Sequence, residues 1–411
     1  MPSESHAGTT SVVLGVETQI GLNIVRELGE AGAHVIAVTT NARSIGAASK
    51  FAREVIRVDA LRGPQILQII NDVARRFGEC TLLTVSEANI DWLLANRTQL
   101  APGVRPVLPS AAAFRIVTNK DLTLKLASAV GIDVPFSEEP RSFEHFKSIA
   151  AKVSYPVVLK WGPSEGFDVA ALLDRERLPL LKAEYAYDEA GLLAIGHRYQ
   201  SIGCFPLIQE YCAGQGFGQF FYMHHGEAIR RFQHLRVAEW PPEGGFSSVC
   251  DVVPLAQHKD LQEKSIALLK SVGWSGVAMV EYRVDPNSGR ARLMEINGRF
   301  WGSFPLAYHA RAGFALLAHR DALGLSLEGL PPSSDRLRCR MVLTELKRLV
   351  RLLFQPSMVQ DRQFRIRPAR ELFRFCADFV RPSVCYYVWS WRDPKPWFAD
   401  MSNSIRKLIG R

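Results

Sequence analysis

Two apolar runs near residue 290 constrain this chain more than any other feature. Val277-Ala-Met-Val-Glu281-Tyr-Arg-Val-Asp285 and Leu293-Met-Glu295-Ile-Asn297-Gly-Arg299-Phe-Trp-Gly302 flank Pro286-Asn-Ser-Gly289, a strong turn signal. β-branched and apolar runs around such a turn predict a hairpin. Side chains alternate faces along a strand, so Glu295, Asn297 and Arg299 point the same way. An acid, an amide and a guanidinium in a row make a poor core. They suit Mg²⁺ and phosphate, because hard cations take carboxylate and amide oxygens and arginine matches the remaining phosphate charge. Glu281, on the neighbouring strand, could complete the metal site. A hairpin with one solvated face accounts for the same alternation, and the hairpin alone leaves both readings open.

With 411 residues the chain is too long for one ordinary core, so two or three lobes are expected. No run of about 18 apolar residues exists, so no transmembrane helix is predicted. The first ten residues, MPSESHAGTT, lack the apolar stretch of a signal peptide. Cys80, Cys204, Cys212, Cys250, Cys339, Cys376 and Cys385 show no CxxC spacing and read as reduced thiols, so a cytoplasmic protein is expected. The net charge of +9 gathers toward the tail, in residues such as Arg336, Lys347, Arg351, Arg362 and Arg370. Interleaved with Leu and Phe, that charge could meet nucleic acid or an anionic membrane surface. A solvated, basic helical lobe is the plainer reading.

Residues 11–110 alternate short apolar runs with helical spacing: Ser11–Gly15, His34–Thr39, Glu54–Val58 and Thr81–Val85 as strands, with helices at Ile20–Leu28 and Pro64–Phe77. That order implies a parallel, Rossmann-like sheet. The first turn, Gly15-Val-Glu-Thr-Gln-Ile-Gly21, lacks the middle glycine of a dinucleotide fingerprint, and Thr39-Thr40 stands where a ribose-binding acid would. Both points argue against an NAD-dependent oxidoreductase. Ser86-Glu87 lies where open α/β sheets present ligand groups, and equally where a helix takes a serine cap and a first-turn acid.

Further along, Asn119-Lys120-Asp121 opens a helix, and Pro156-Val-Val-Leu-Lys160 is a strand. Gly162–Phe167 is a glycine-containing loop whose backbone could cover phosphate oxygens. Asp168–Leu173 and Leu180–Tyr187 read as short strands, and so does Leu207–Cys212. Lys160 is a surface lysine or a phosphate ligand, and Lys120 a solvated lysine or an anion contact. Arg236, on a strand beside the glycine-rich Trp240–Ser247 loop, faces either substrate or solvent. His234 beside it reads as packing. Pro331-Pro332 marks a boundary before a mostly helical extension.

The ordered set Asn119-Lys120, Tyr155–Lys160, Leu207–Cys212, Glu281 and Glu295–Arg299 resembles the ATP-grasp superfamily, which includes carboxylate–amine ligases, biotin carboxylase and D-alanine–D-alanine ligase. The resemblance covers roughly residues 10–325. It implies an α/β and α+β chain with a Rossmann-like pre-ATP-grasp domain (1–110), a small lid subdomain (111–206), a large subdomain with the metal site (207–330) and a basic helical extension (331–411). It assigns Lys120 and Lys160 to ATP phosphates and Glu210 to the adenine amino group. Hinge hydrogen bonds fall to the backbone of Tyr211 and Cys212. It makes Glu281, Glu295 and Asn297 ligands of Mg²⁺, with Mn²⁺ as a substitute, and Arg299 a phosphate or acyl contact. Outside that match, the place of Arg236 facing the glycine-rich loop suits a substrate-carboxylate or γ-phosphate contact. One departure stands out: many members carry a second acid for the ribose, and here that position is Gly216, with Gln215 beside it as the candidate to take over the ribose contact. The implied activity is ATP-dependent ligation, with a substrate carboxylate phosphorylated and then attacked by an amine. A biotin-carboxylase-like carboxylase and a non-enzymatic binder are the alternatives. Small-molecule acid and amine partners are implied, and a homodimer is left open.

Overall fold

The computed structural model describes residues 8–41, 43–161, 169–179, 181 and 183–409. The Gly162–Phe167 loop singled out above lies outside the described residues.

The first sheet is built from β1 (Thr10–Leu14), β2 (His34–Thr39), β3 (Ala52–Arg57), β4 (Cys80–Thr84) and β5 (Val104–Pro106), in the order β3-β2-β1-β4-β5 with every pair parallel. Helices α1 (Gln19–Glu30), α2 (Pro64–Phe77) and α3 (Glu87–Ala95) make its connections. The parallel sheet follows from the strand–helix alternation. Central strands β1 and β4 are buried throughout, as strands covered on both faces must be. Thr18 and Ser86 cap α1 and α3 by accepting from Gly21 N and Asn89 N.

The next two helices, α4 (Ala111–Thr118) and α5 (Lys120–Ala129), pack Phe114, Val117 and Leu124 into the same core as Ile266 and Leu269 of the helix Lys259–Ser271 and Tyr282 of the large sheet, away from the small lobe in which the sequence reading put them. The small lobe is a four-stranded sheet, β6-β9-β7-β8, formed by β6 (Ser137–Glu138), β7 (Val157–Lys160), β8 (Glu184–Ala186) and β9 (Leu207–Glu210). It is backed by α6 (Phe143–Ala150), α7 (Val169–Arg175) and α8 (Glu189–Tyr199). Two expectations change here. Residues 169–173 of the segment 168–173, read as a strand, belong to helix α7. Strand β9, read as opening the third lobe, pairs with β7 and closes this one. An isolated short apolar run carries no information about its partner strand.

The large sheet has seven strands in the order β14-β13-β10-β11-β12-β15-β16. They are β10 (Gln215–His224), β11 (Glu227–Trp240), β12 (Phe246–Val252), β13 (Gly276–Val284), β14 (Ala291–Asn297), β15 (Arg338–Arg340) and β16 (Val384–Tyr386). Helices α9 (Lys259–Ser271), α10 (Phe304–His309) and α11 (Phe314–Ala322) lie along the same stretch of chain. The extension is thus only partly helical: β15 pairs with β12 and β16 with β15, so the tail completes the large sheet. Its helices are α12 (Val342–Phe354), α13 (Pro368–Ala377) and α14 (Lys395–Ile409).

One core joins Leu22, Val25 and Leu28 of α1 to Phe220, Trp301, Phe314 and Tyr387, so the first sheet, the large sheet and the tail share buried surface. Arg26 crosses the same boundary. Fully buried, it meets Asp393 at 3.0 Å and donates to Val388 O at 2.8 Å, while Ser49 Oγ and Lys50 N donate to the same carboxylate. Among the described residues no helix is long and apolar enough to cross a membrane.

Candidate functional site

A cleft of about 830 Å³ lies between the four-stranded and seven-stranded sheets, with the ends of β4 and α3 forming a third wall. Ten of the eleven candidate residues line it: Lys120, Lys160, Glu210, Tyr211, Cys212, Arg236, Glu281, Glu295, Asn297 and Arg299. Gln215 does not. It is exposed at the start of β10, and its amide reaches Arg236 O at 3.5 Å.

The hairpin does most of the positioning. Glu281 and Glu295 are register partners across β13 and β14, and Met279 pairs with Asn297. An irregularity follows, since Tyr282 pairs with Leu293 and Met294 is the extra residue. A bulge re-aims side chains. The neighbours Met294 and Glu295 therefore both line the cleft, which strict alternation would forbid. Asn297 Nδ2 donates to Glu295 Oε1 at 2.9 Å, and Arg299 Nη2 donates to Asn297 Oδ1 at 2.8 Å. Arg299 Nε also donates to Glu87 Oε1 at 3.0 Å. Both sequence readings of Glu87 hold: it is the first-turn acid after the Ser86 cap, and it faces the cleft.

Arg236 organises the opposite side. Its guanidinium meets Glu281 at 2.5 Å and Glu239 at 3.1 Å, and donates to Gly245 O at 3.0 Å. Burial alone would lower its pKa, but Glu281 and Glu239 outweigh that and raise it. Gly216 explains the missing second acid. A Cβ there would stand 2.5 Å from Arg236 Cδ, so the position must be bare for the arginine to cross it. His234 is fully buried against Phe220 with Ser303 Oγ on Nδ1 at 3.0 Å, a packing residue as expected.

The electrostatics separate the two acids. Burial pushes Glu281 up, and the nearby Glu295 adds to it, with Arg236 opposing. For Glu295 burial is also the largest influence, but Lys120, 3.9 Å away, together with Asn297 and Arg236 holds it below the usual carboxylate value. Desolvation, with Lys120 alongside, pulls the Lys160 ammonium down to about 8, and it donates to Gln209 Oε1 at 3.1 Å. Two acids facing each other under like-charge strain, with an amide oxygen beside them, fit a divalent cation shared with substrate phosphates. Among the described residues there is no cluster of three His, Cys, Asp or Glu side chains able to hold a metal by itself.

At the hinge, Glu210 accepts from Arg292 at 2.8 Å and from Phe136 N at 3.3 Å. Its carboxylate is therefore already engaged. The Tyr211 N–H is taken by Pro156 O at 3.2 Å, which turns attention to Cys212 for an adenine-edge donor. Tyr211 Oη donates to buried Asp361 of the tail at 2.8 Å. Sequence reasoning missed Glu239, Arg283, Arg292 and Asp361. Arg283 was findable, two residues from Glu281 on the same strand face. Glu239 was not, because register shifts between Arg236, Ala238 and Glu239 break the period.

The family model for the carbamoyl-phosphate synthase L chain ATP-binding domain matches residues 251–329. The chain is 23% identical over 323 residues to the mitochondrial arginine-specific large chain of carbamoyl phosphate synthase from Schizosaccharomyces pombe, covering 76% of this chain and 26% of that one. It spans little more than a quarter of the length of the curated relatives it matches. Among solved structures, it is similar to the biotin carboxylase domain of Hydrogenobacter thermophilus 2-oxoglutarate carboxylase in complex with MgADP, ADP and bicarbonate (TM-score 0.58, 16% identity, 79% of this chain and 71% of that one). An ADP complex of N5-carboxyaminoimidazole ribonucleotide synthetase gives TM-score 0.60 at 13% identity, covering 84% and 86%. These likenesses identify the fold.

Proposed function

We propose that this chain, which has the ATP-grasp fold, is an ATP- and Mg²⁺-dependent ligase that activates a substrate carboxylate as an acylphosphate for attack by an amine. The carrying observation is the pairing of Glu281 with Glu295 across one hairpin, inside a cleft that also holds Lys120 and Lys160. Free carboxylates are poor electrophiles, and γ-phosphoryl transfer needs positioning and charge neutralisation more than a protein nucleophile.

Lys120 and Lys160 supply positive charge for the phosphates. Val158 and Met294, from opposing sheets, offer apolar faces for the adenine, and Cys212 supplies the edge contact. Glu281, Glu295 and Asn297 would hold Mg²⁺, which when bound neutralises charge on the transferring phosphoryl group. Arg299, steadied by Glu87 and Asn297, and Arg236, steadied by Glu239, hold the reacting carboxylate or phosphate in place. The lobe carrying Lys160 excludes the water that would hydrolyse an acylphosphate.

The test is product analysis. Turnover should release ADP and inorganic phosphate in an acid- and amine-dependent way; stoichiometric AMP would overturn the proposal. ADP release that needs only bicarbonate would instead favour the carboxylase reading.

A further inference from the structure

Helix α12 carries apolar residues on its outer face as well as its inner one. It buries Leu349 and Leu352 together with Glu345 and Arg348, and turns Leu346, Val350 and Phe354 outward, Phe354 at 75% exposure. Residues four apart share a helix face, so these three form one apolar stripe. Inside, Arg340 meets Glu345 at 2.6 Å, and Arg348 meets Glu371 of α13 at 2.5 Å. Helix α13 likewise exposes apolar residues: Glu371 and Arg374 pair with each other, while Leu372 and Phe373 stand outward, Phe373 at 75% exposure. A helix facing water keeps its outer face polar, and an outward apolar stripe marks a surface with a partner.

The charge around the stripe identifies the partner. Among the described residues of 341–407 no acid is exposed: Glu345, Asp361, Asp378 and Asp393 are buried, and Glu371 and Asp400 are half-buried. Lys347, Arg362, Arg365, Arg367 and Arg370 are all exposed. We propose that the α12–α13 face docks on an anionic phospholipid surface, with the apolar stripe in the headgroup–acyl boundary and the basic residues against lipid phosphates. Phe354 and Phe373 alone could stack on bases, but the aliphatic Leu346, Val350 and Leu372 beside them have no counterpart on a nucleic acid and suit acyl chains. A second copy would bring the same uncompensated cations face to face. The chain lies on such a surface and does not cross it, since none of its described helices can.

The test uses the full chain and vesicles of phosphatidylcholine with or without phosphatidylglycerol, read by co-flotation. Binding is expected only with phosphatidylglycerol, and it should fade as salt rises. The Phe354→Ser, Phe373→Ser double variant should weaken it at least about tenfold with an unchanged melting curve, because both side chains lie on the surface. Lys347→Glu with Arg370→Glu should weaken it likewise. No binding to the anionic vesicles overturns the proposal, and so does binding that both double variants leave intact. Two further outcomes also overturn it: single-stranded RNA that displaces the vesicles and needs the same phenylalanines, or a dimer that those substitutions dissolve.

Discussion

The cleft and the α12–α13 lobe both bury charge, and they do so to opposite ends. In the lobe, guanidinium and carboxylate face each other at 2.5–2.7 Å with no room between. In the cleft one such pair, Arg236 with Glu281 at 2.5 Å, stands beside a second carboxylate and two lysines, and about 830 Å³ is left open. Buried charge by itself therefore marks nothing. What marks a site is charge whose balance is incomplete around a space that could hold the missing part.

The largest effect that could break this contrast is on turnover. Glu295→Gln and Asn297→Ala should each lower ADP release by about 10²–10³-fold or more at saturating Mg²⁺. Their melting temperatures should stay within about 2 °C, since neither side chain belongs to a core cluster. Near wild-type turnover from either variant would remove the metal assignment.

In the lobe the order reverses. Glu345→Ala should cost about 3–5 kcal/mol in denaturant unfolding, because it strands a fully buried Arg340. Arg340→Met with Glu345→Leu should recover most of that loss, a pair needing nothing beyond itself. The same exchange at Arg236 and Glu281 should restore no activity. If it did, the cleft pair would be structural as well.

A smaller effect follows from Lys160. Its pKa of about 8 lies below that of an ordinary lysine, so it loses its proton first as pH rises. Affinity for a non-hydrolysable ATP analogue should fall above about pH 8, up to tenfold per unit, and Lys160→Arg should flatten that profile. A wild-type profile already flat to about pH 9.5 would remove the lysine from phosphate binding. The smallest effect is Gln215→Ala, which should change analogue affinity by less than about twofold, since the amide only touches a backbone carbonyl outside the cleft.

The strand–helix alternation of residues 11–110 and the acid-bearing hairpin were legible because both are local periodic patterns. The parallel sheet and the facing of Glu281 and Glu295 follow from them directly. What stayed hidden depends on partners far away in sequence. Strand β9 gives no hint that it joins β7, and the engagement of Glu210 by Arg292 and of Tyr211 by Asp361 needs the folded chain. The bulge at Met294 hid for another reason: one extra residue leaves the polar–apolar count unchanged while turning the strand. The tail was read as a solvated basic face, and Lys347, Arg362, Arg365, Arg367 and Arg370 are exposed, but composition cannot show that Arg340 and Arg348 point inward.

Arg26 has a consequence for the order of synthesis. Helix α1 leaves the ribosome 367 residues ahead of Asp393, the acid that meets its buried guanidinium. Until then an unmatched charge sits where a core should close, a cost of several kcal/mol. The first sheet is thus complete in strands long before it can settle. An isolated 1–110 fragment should expose α1 to amide exchange that the whole chain suppresses. Equal protection in fragment and whole would show that the early segment needs no such closing stitch.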